Sequence, residues 1–560
     1  MANMTQRKAK LPIKGARKSE LLMPAGNLEK LKFAITYGAD AVYLGTPDMS
    51  LRTKSGFTLE DVVEGIEFAH AHGARVYLTL NLFAHNSDIP KLDEYIQTVR
   101  KVKPDGLIIA DPGVFAYVKE KAPELELHIS TQANVTSWLT VNFWKDQGAK
   151  LVVLAREVTY EELSEIREKC PDIKLEAFVH GSMCMTYSGR CLLSNFMSER
   201  GSNQGSCTNS CRWGYKLHLR LKDGTVQDFE ITDQNSDMFE FLLEEQFRPG
   251  EFMPIEEDMR GSYILNSKDL CIMPRLDEYL SIGVDSLKIE GRGKSAYYAA
   301  IVARAYRMAI DDYYADPENW HPREYMRELE TTGNRGFTLA FHEGRLKNYA
   351  HNYEHTATIA EWEFGGIVRE VLDDAFVVEV KNKLEEGDVL EFVPIHARES
   401  VLIRMYEYEE LETGRVTKEV NAGQRRRIRI PFELFDHEDT AELKEKIKPF
   451  TVIRKEASLT EAEWQRLKLD RVAQKIETEG APEDVYQDRL EVLQEKIDEQ
   501  LMERRTKTPR SGINGCCGKG CNGCMIFWKD DKYAKARELL LQKKQGSKLT
   551  SQEVQVATAS

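Results

Sequence analysis

Four cysteines in the arrangement Cys184-x6-Cys191-x15-Cys207-x3-Cys211 are enough to complete one metal site. Thiolates hold iron–sulfur clusters and structural zinc. The spacing lacks the paired short loops of common zinc fingers, which favours a cluster over zinc. The surrounding Tyr187, Ser188, Gly189 and Arg190, and the run from Gly201 to Gly205, are rich in small residues. Such residues let backbone N–H groups approach sulfur, and those hydrogen bonds help set a cluster's potential. Cys271 lies further along. A second group, Cys516-Cys517-x3-Cys521-x2-Cys524, reads as a separate metal site for zinc or a second cluster. Arg504, Arg505, Lys507, Arg510, Lys519, Phe527 and Trp528 surround it. Mixed cations and aromatics around a metal knuckle suit single-stranded RNA.

Further residues suit proton and anion chemistry. His180, Glu157 and Asp111 are acid–base candidates by position, at the ends of apolar runs. Asn81, Gln132 and Glu290 occupy equivalent places. Any one of the six could be a cap, but their recurrence points to a shared face. The run from Lys288 to Ser295 resembles a phosphate loop, yet its first glycine would fall at Lys288, so the match fails. Two glycines, Arg292, Lys294 and a helix start still make an anion site there, for an RNA phosphate or the carboxylates of a small acid. His351 and His355 fit an inverted zinc-protease spacing, but the following Thr356–Ala360 reads as a strand, and the motif needs a helix. Arg425, Arg426, Arg427 and Arg429 form a basic strand.

The elements that must hold these residues alternate. Strands are expected at Glu20–Met23, Asp40–Leu44, Arg75–Leu80, Gly106–Ala110, Glu126–Ser130, Lys150–Leu154, Leu175–Val179 and Asp285–Ile289, with helices such as Leu28–Tyr37 and Leu59–His72 between them. Eight strands with intervening helices predict an α/β fold, a TIM-like (β/α)8 barrel. Its strand ends would bring the six polar residues to one mouth. A doubly wound open sheet is the competing fold, but Pro24-Ala25-Gly26-Asn27 after the first strand is no dinucleotide fingerprint. The cysteine block lies in a long insertion between strands seven and eight, and a helix is expected over Ser295–Asp312.

The expected organisation is a basic N-terminal arm (1–19), the barrel with its iron–sulfur insertion (20–345), a small β-barrel domain (355–435), a helical segment (436–505) and a Cys-rich basic tail (506–560). The small β-domain is read from Thr356–Ala360, Gly366–Val371, Phe376–Val380, Asp388–Val393 and Arg426–Ile430. The arm holds six Lys or Arg and no acid in its first 18 residues, which suggests a disordered or RNA-touching segment. No apolar run is long enough to cross a membrane. The chain of 560 residues has a net charge of −14, which argues against indiscriminate nucleic-acid binding but not against local patches. Ten cysteines without a secretory signal imply a reducing, cytoplasmic setting.

These motifs also carry a family resemblance. ELLMPAGNLE from Glu20, FVHGSMCMTYSGRCLLS from Phe178, NQGSCTNSCRW from Asn203 and SLKIEGR from Ser286 resemble the collagenase-like peptidase family. The resemblance spans roughly residues 18–435 and is greatest to the branch that hydroxylates tRNA. It implies a 4Fe-4S cluster on Cys184, Cys191 and Cys207, completed by Cys211 or Cys271. It also implies prephenate-dependent hydroxylation of the wobble uridine of tRNA to 5-hydroxyuridine, with prephenate as a small dicarboxylate co-substrate. Hydroxylation of a 23S ribosomal RNA cytidine is the alternative. Peptidase activity, as in the family's name, is not expected, because no nucleophile–base pair or metal-hydrolase motif is present.

Overall fold

The computed structural model describes residues 7–45, 57–81, 83–183, 187, 267–344, 362–423, 426–435 and 440–456, and five short strands between 218 and 263 by their backbone alone. Eight parallel strands form the first sheet: β1 Glu20–Pro24, β2 Ala41–Leu44, β3 Arg75–Leu80, β4 Gly106–Ile109, β5 Leu127–Ile129, β6 Leu151–Val153, β7 Lys174–Gly181 and, beyond β8 Asp269–Cys271, β9 Ser286–Ile289. β9 pairs with β1 on one edge and with β7 on the other, so the sheet closes into a barrel. The open-sheet alternative is thereby excluded. The chain is short of turn space between strands, and local signals fix the helices. Asn27 caps α1 (Leu28–Thr36), Thr58 and Asp61 form a capping box on α2 (Leu59–Ala71), and Thr159 and Glu162 do so on α6 (Tyr160–Lys169). Apolar strand faces then bury against these helices in one large core.

The lumen differs from that outer core. A small apolar group, Leu22, Ala41, Tyr43, Tyr77 and Ile108, fills part of it. Charged side chains fill the rest. Lys288 Nζ lies 2.6 Å from Glu176 Oε1, and both residues are buried. Lower down, Glu20 pairs with Arg75 and accepts from Tyr77 Oη at 3.2 Å and Ser286 Oγ at 3.3 Å.

Two features shape the barrel's ends. At the bottom, the basic arm is held in place. Arg7 pairs with Asp277 and Glu278, Arg17 with Asp285, and Ile13 N donates to Ser281 O. The expectation of a disordered arm fails for residues 7–18, where acids before β9 pair with Arg7, Lys10 and Arg17. At the mouth, the loops after β1 and β9 touch through their backbones. A Cβ on Gly26 would lie 2.0 Å from Arg292 O, so only glycine fits.

The second domain is a curled antiparallel sheet, a half-barrel of eight strands: Trp362–Val371 (β11), Ala375–Val380, Val389–Val393, Val401–Arg404, Tyr408–Glu410, Val416–Thr417, Arg427–Pro431 and Val452–Glu456. The last of these comes from the stretch expected to be helical, yet it pairs centrally with β11 and with Val389–Val393. Thr356–Ala360 and residues 457–505 lie outside the described residues. The domain docks firmly on the barrel. Ile367, Val393 and Val452 join the barrel's own core, Tyr37 Oη accepts from Val452 N at 2.9 Å, and Arg304 donates to the carbonyls of Pro394, Ala397 and Arg398. The basic strand is not a free positive surface: Arg427 pairs with Glu370, and Arg429 with Asp374 and Glu409. Among the described residues, no helix is long and apolar enough to cross a membrane.

Two outcomes test this packing. Gly26→Ala is expected to cost about 1–3 kcal/mol by overpacking. Gly293→Ala, which meets nothing within 4 Å, is the tolerated control. Equal denaturation midpoints for the two variants would contradict the close approach. The second outcome concerns Glu20, whose carboxyl burial raises to about 7 although Arg75 opposes the shift. Between its ordinary range and pH 7 the folded state then binds the extra proton, so stability falls as pH rises through that window. Glu20→Gln should remove a pH-dependent loss of up to about 3 kcal/mol. A wild-type–variant difference that stays constant from pH 4.5 to 8 would refute this.

Candidate functional site

The parallel register brings the C-terminal ends of all eight strands to one mouth, where barrel sites form. β7 reaches it with an irregularity. Phe178 pairs with Lys288, but the next β9 residue, Ile289, pairs with His180. The extra residue is Val179, whose carbonyl accepts from Tyr306 Oη at 2.9 Å and from Ile272 N at 2.8 Å. This bulge turns the chain out of the barrel. Gly181, at φ +115°, completes the turn, because a Cβ there would strike Glu290 O. The chain returns as β8, antiparallel to β7, with Cys271 opposite His180 and Leu270 opposite Gly181. Both ends of the cysteine-bearing segment are therefore anchored at the same edge of the mouth.

His180 is buried in this edge. Its ring lies against Tyr298, Tyr306 and Phe337, with Nδ1 3.4 Å from Tyr306 Oη. Burial, reinforced by the charge of Lys294, pushes its pKa down to about 3. It is thus a neutral hydrogen-bonding group rather than a cation at physiological pH. Cys271 Sγ sits between Tyr306 Oη at 4.0 Å and Met326 Sδ at 3.7 Å, and burial pushes the thiol up to about 12.

The other expected residues are distributed differently. Asp111 caps α4 (Pro112–Lys121), accepting from Gly113 N at 2.7 Å and Val114 N at 3.1 Å. Both bonds fall on Oδ1, so Asp111 has a structural task at the start of that helix. Glu157 is half-buried in the turn after β6, and Asn81 is half-buried after β3. Glu290 accepts from Ser182 N at 3.0 Å. Lys294 reaches the carbonyl of Gly333 at 3.3 Å, and Ser295 caps α8 (Ala296–Ala315) by accepting from Tyr298 N. Arg292 faces the mouth, 3.4 Å from Thr79 Oγ1 and over the ring of Tyr43. Cys184, Cys191, Cys207 and Cys211, the tail cysteines 516, 517, 521 and 524, and His351 and His355 lie outside the described residues. Among the described residues, no three His, Cys, Asp or Glu side chains gather as metal ligands.

Sequence reasoning missed two cations at this mouth. Lys288 was read only as the start of a loop pattern, and Arg156 was not singled out. A lone lysine inside the otherwise apolar strand SLKI is the signal that could have found the first, since a buried lysine needs a partner. Arg156 gave no such signal.

The comparisons with known proteins agree with this architecture. The tRNA hydroxylation protein P of Escherichia coli (strain K12) is 41% identical over 397 residues, covering 67% of this chain and 86% of that protein. The tRNA hydroxylation protein P1 of Bacillus subtilis (strain 168) is 39% identical over 380 residues, covering 67% and 83%. The protein named collagenase in Porphyromonas gingivalis is 30% identical over 353 residues, covering 60% and 77%. The model of peptidase family U32 matches residues 26–352. That match spans the barrel from the loop after β1, through the cysteine-bearing segment, to beyond β10 (Phe337–Thr338), and so the chain belongs to peptidase family U32.

Proposed function

We propose that this chain modifies RNA, hydroxylating the wobble uridine of tRNA to 5-hydroxyuridine at the barrel mouth, with prephenate as co-substrate. The observation that carries this reading is a coincidence of place and likeness. The segment holding Cys184, Cys191, Cys207 and Cys211 leaves and rejoins the barrel at one edge of the mouth. Relatives spanning two thirds of the chain are named for tRNA hydroxylation.

Cys184, Cys191 and Cys207, with Cys211 or Cys271, would hold a 4Fe-4S cluster. An all-thiolate donor set suits it. Cys271 lies on the strand that returns the chain beside His180, and its buried thiol would have to turn from Tyr306 and Met326 to serve as the fourth ligand. Such a cluster supplies electron-transfer chemistry when bound. The chain's own groups do the rest. A base must leave its stack to reach the mouth. His180, kept neutral by burial, offers a hydrogen bond without adding charge. The buried rings of Tyr298, Tyr306 and Phe337 hold that imidazole in place. The tail site on Cys516, Cys517, Cys521 and Cys524 is proposed as a second metal unit.

Protein purified without oxygen should be brown, with about four irons in the barrel site. Ser at Cys184, Cys191 or Cys207 should bleach it, whereas a colourless zinc protein would refute the cluster. Deletion of the gene, followed by mass spectrometry of nucleosides after anaerobic growth, should remove 5-hydroxyuridine derivatives from tRNA. Loss of a hydroxylated ribosomal cytidine instead would move the activity to ribosomal RNA. Unchanged RNA with cluster-independent proteolysis would make the protein a peptidase.

A further inference from the structure

Three cations converge on two aromatic faces at the barrel mouth. Lys288 Nζ lies 4.4 Å from the ring centre of Tyr43 and 5.6 Å from that of Phe178. Arg156, from the turn after β6, stacks its guanidinium on Phe178 with Cζ 3.7 Å from the ring centre. Arg292, from the loop after β9, approaches Tyr43 with Cζ at 5.9 Å. Each ring is thus shared between Lys288 and one arginine, and the arginines flank the lysine from different strands.

Glu176 balances Lys288 at 2.6 Å. Arg156 makes no ion pair among the described residues, and its Nε is buried without a hydrogen-bond partner. Glu176 Oε2 is likewise buried and unpartnered. Arg292 and Arg156 both lie close enough to oppose the charge on Lys288. The ring-stacked guanidinium of Arg156 thus has a buried donor that an oxyanion at the mouth would satisfy.

We propose that Arg156 and Arg292 form a binding site for a small dicarboxylate, one carboxylate to each guanidinium, above the Lys288–Glu176 pair. The depth favours a small anion over a nucleic-acid backbone, since Lys288 is only 5% exposed. Two separate guanidinium forks suit two carboxylates better than one phosphate. The site deepens the proposed function by assigning residues to its acidic co-substrate. It rests on that reading only for the identity of the working end.

The test is binding to the full-length, oxygen-free holoprotein without tRNA or turnover, so it stands or fails independently of the hydroxylation assay. Succinate is the probe, with acetate, inorganic phosphate and an anticodon stem-loop RNA in parallel arms. Calorimetry should show succinate binding more tightly than acetate or phosphate. Arg156→Gln and Arg292→Gln should each weaken it about tenfold, the loss of one charge-assisted hydrogen-bonded contact. Lys145→Gln, on the outer face, should leave it unchanged. Arg156→Lys, which keeps the charge but loses the fork, should fall between. In the wild-type protein, succinate should shield both arginines from phenylglyoxal, read by peptide mass spectrometry, which requires no variant to fold. Succinate affinity that ignores both arginine variants overturns the proposal. So does equal binding of acetate, or shielding by phosphate or the stem-loop RNA but not by succinate.

Discussion

Everything at the mouth depends on β9 forming hydrogen bonds along both its edges. Its register with β1 and β7 closes the sheet, and closure converges strands that are far apart in sequence. Without it, Arg156 after β6 and Arg292 after β9 would have no common centre. Closure also explains the bulge at Val179. The chain must leave β7 for the cysteine-bearing segment and return before β9, while β9 still needs β7 as a neighbour. One extra residue lets β7 satisfy β9 and then β8 on successive carbonyls, with Tyr306 and Ile272 taking the carbonyl that the bulge frees.

The lumen is costly by design. Burying Lys288 and Glu176 together sacrifices hydration that apolar side chains would not. Such a pair is weak evidence for stability, and a lumen of branched aliphatics would be the ordinary filling. Through Lys288 the pair shares the rings of Tyr43 and Phe178 with the two arginines. Tyr43 and Phe178 replace part of the missing solvent, because ring faces attract cations. Glu20 at the lower end follows the same physics with a different outcome: it is buried beside only a half-exposed arginine, and its proton affinity rises.

Much of the barrel was legible because parallel strands buried on both faces read as short apolar runs between helical patterns. Arg75–Leu80 matches residue for residue, and the other seven strands overlap their expected positions. Val452–Glu456 was not legible: five residues with three charges, following a helix-like stretch, carry no alternating signal, and only pairing with β11 makes them a strand. Among site residues, Arg292 and His180 reach the mouth as expected. Asp111 does not need to be catalytic to sit at a strand end. Asp followed by Pro112 is a helix-start signature, and that local chemistry accounts for its place at the strand end. Arg156 was invisible because its significance lies wholly in Phe178, on the next strand, and no sequence spacing encodes that contact.

The buried histidine narrows what the mouth can do. In hydrolytic catalysis an imidazole takes a proton and becomes a cation, stabilised by a carboxylate on its far nitrogen. His180 has the opposite environment. Its Nδ1 faces a tyrosine hydroxyl, its ring is enclosed by three aromatic side chains, and the charge of Lys294 opposes protonation more strongly than that of Glu290 favours it. Burial is the largest influence and disfavours the imidazolium. A neutral, buried imidazole suits positioning or hydrogen bonding. The cationic side chains at the mouth are Arg156, Lys288 and Arg292, and burial lowers the proton affinity of Lys288 against the opposing pull of Glu176. Cations beside a neutral imidazole are compatible with the proposed reading, in which an acid and an uncharged base ring meet at the mouth.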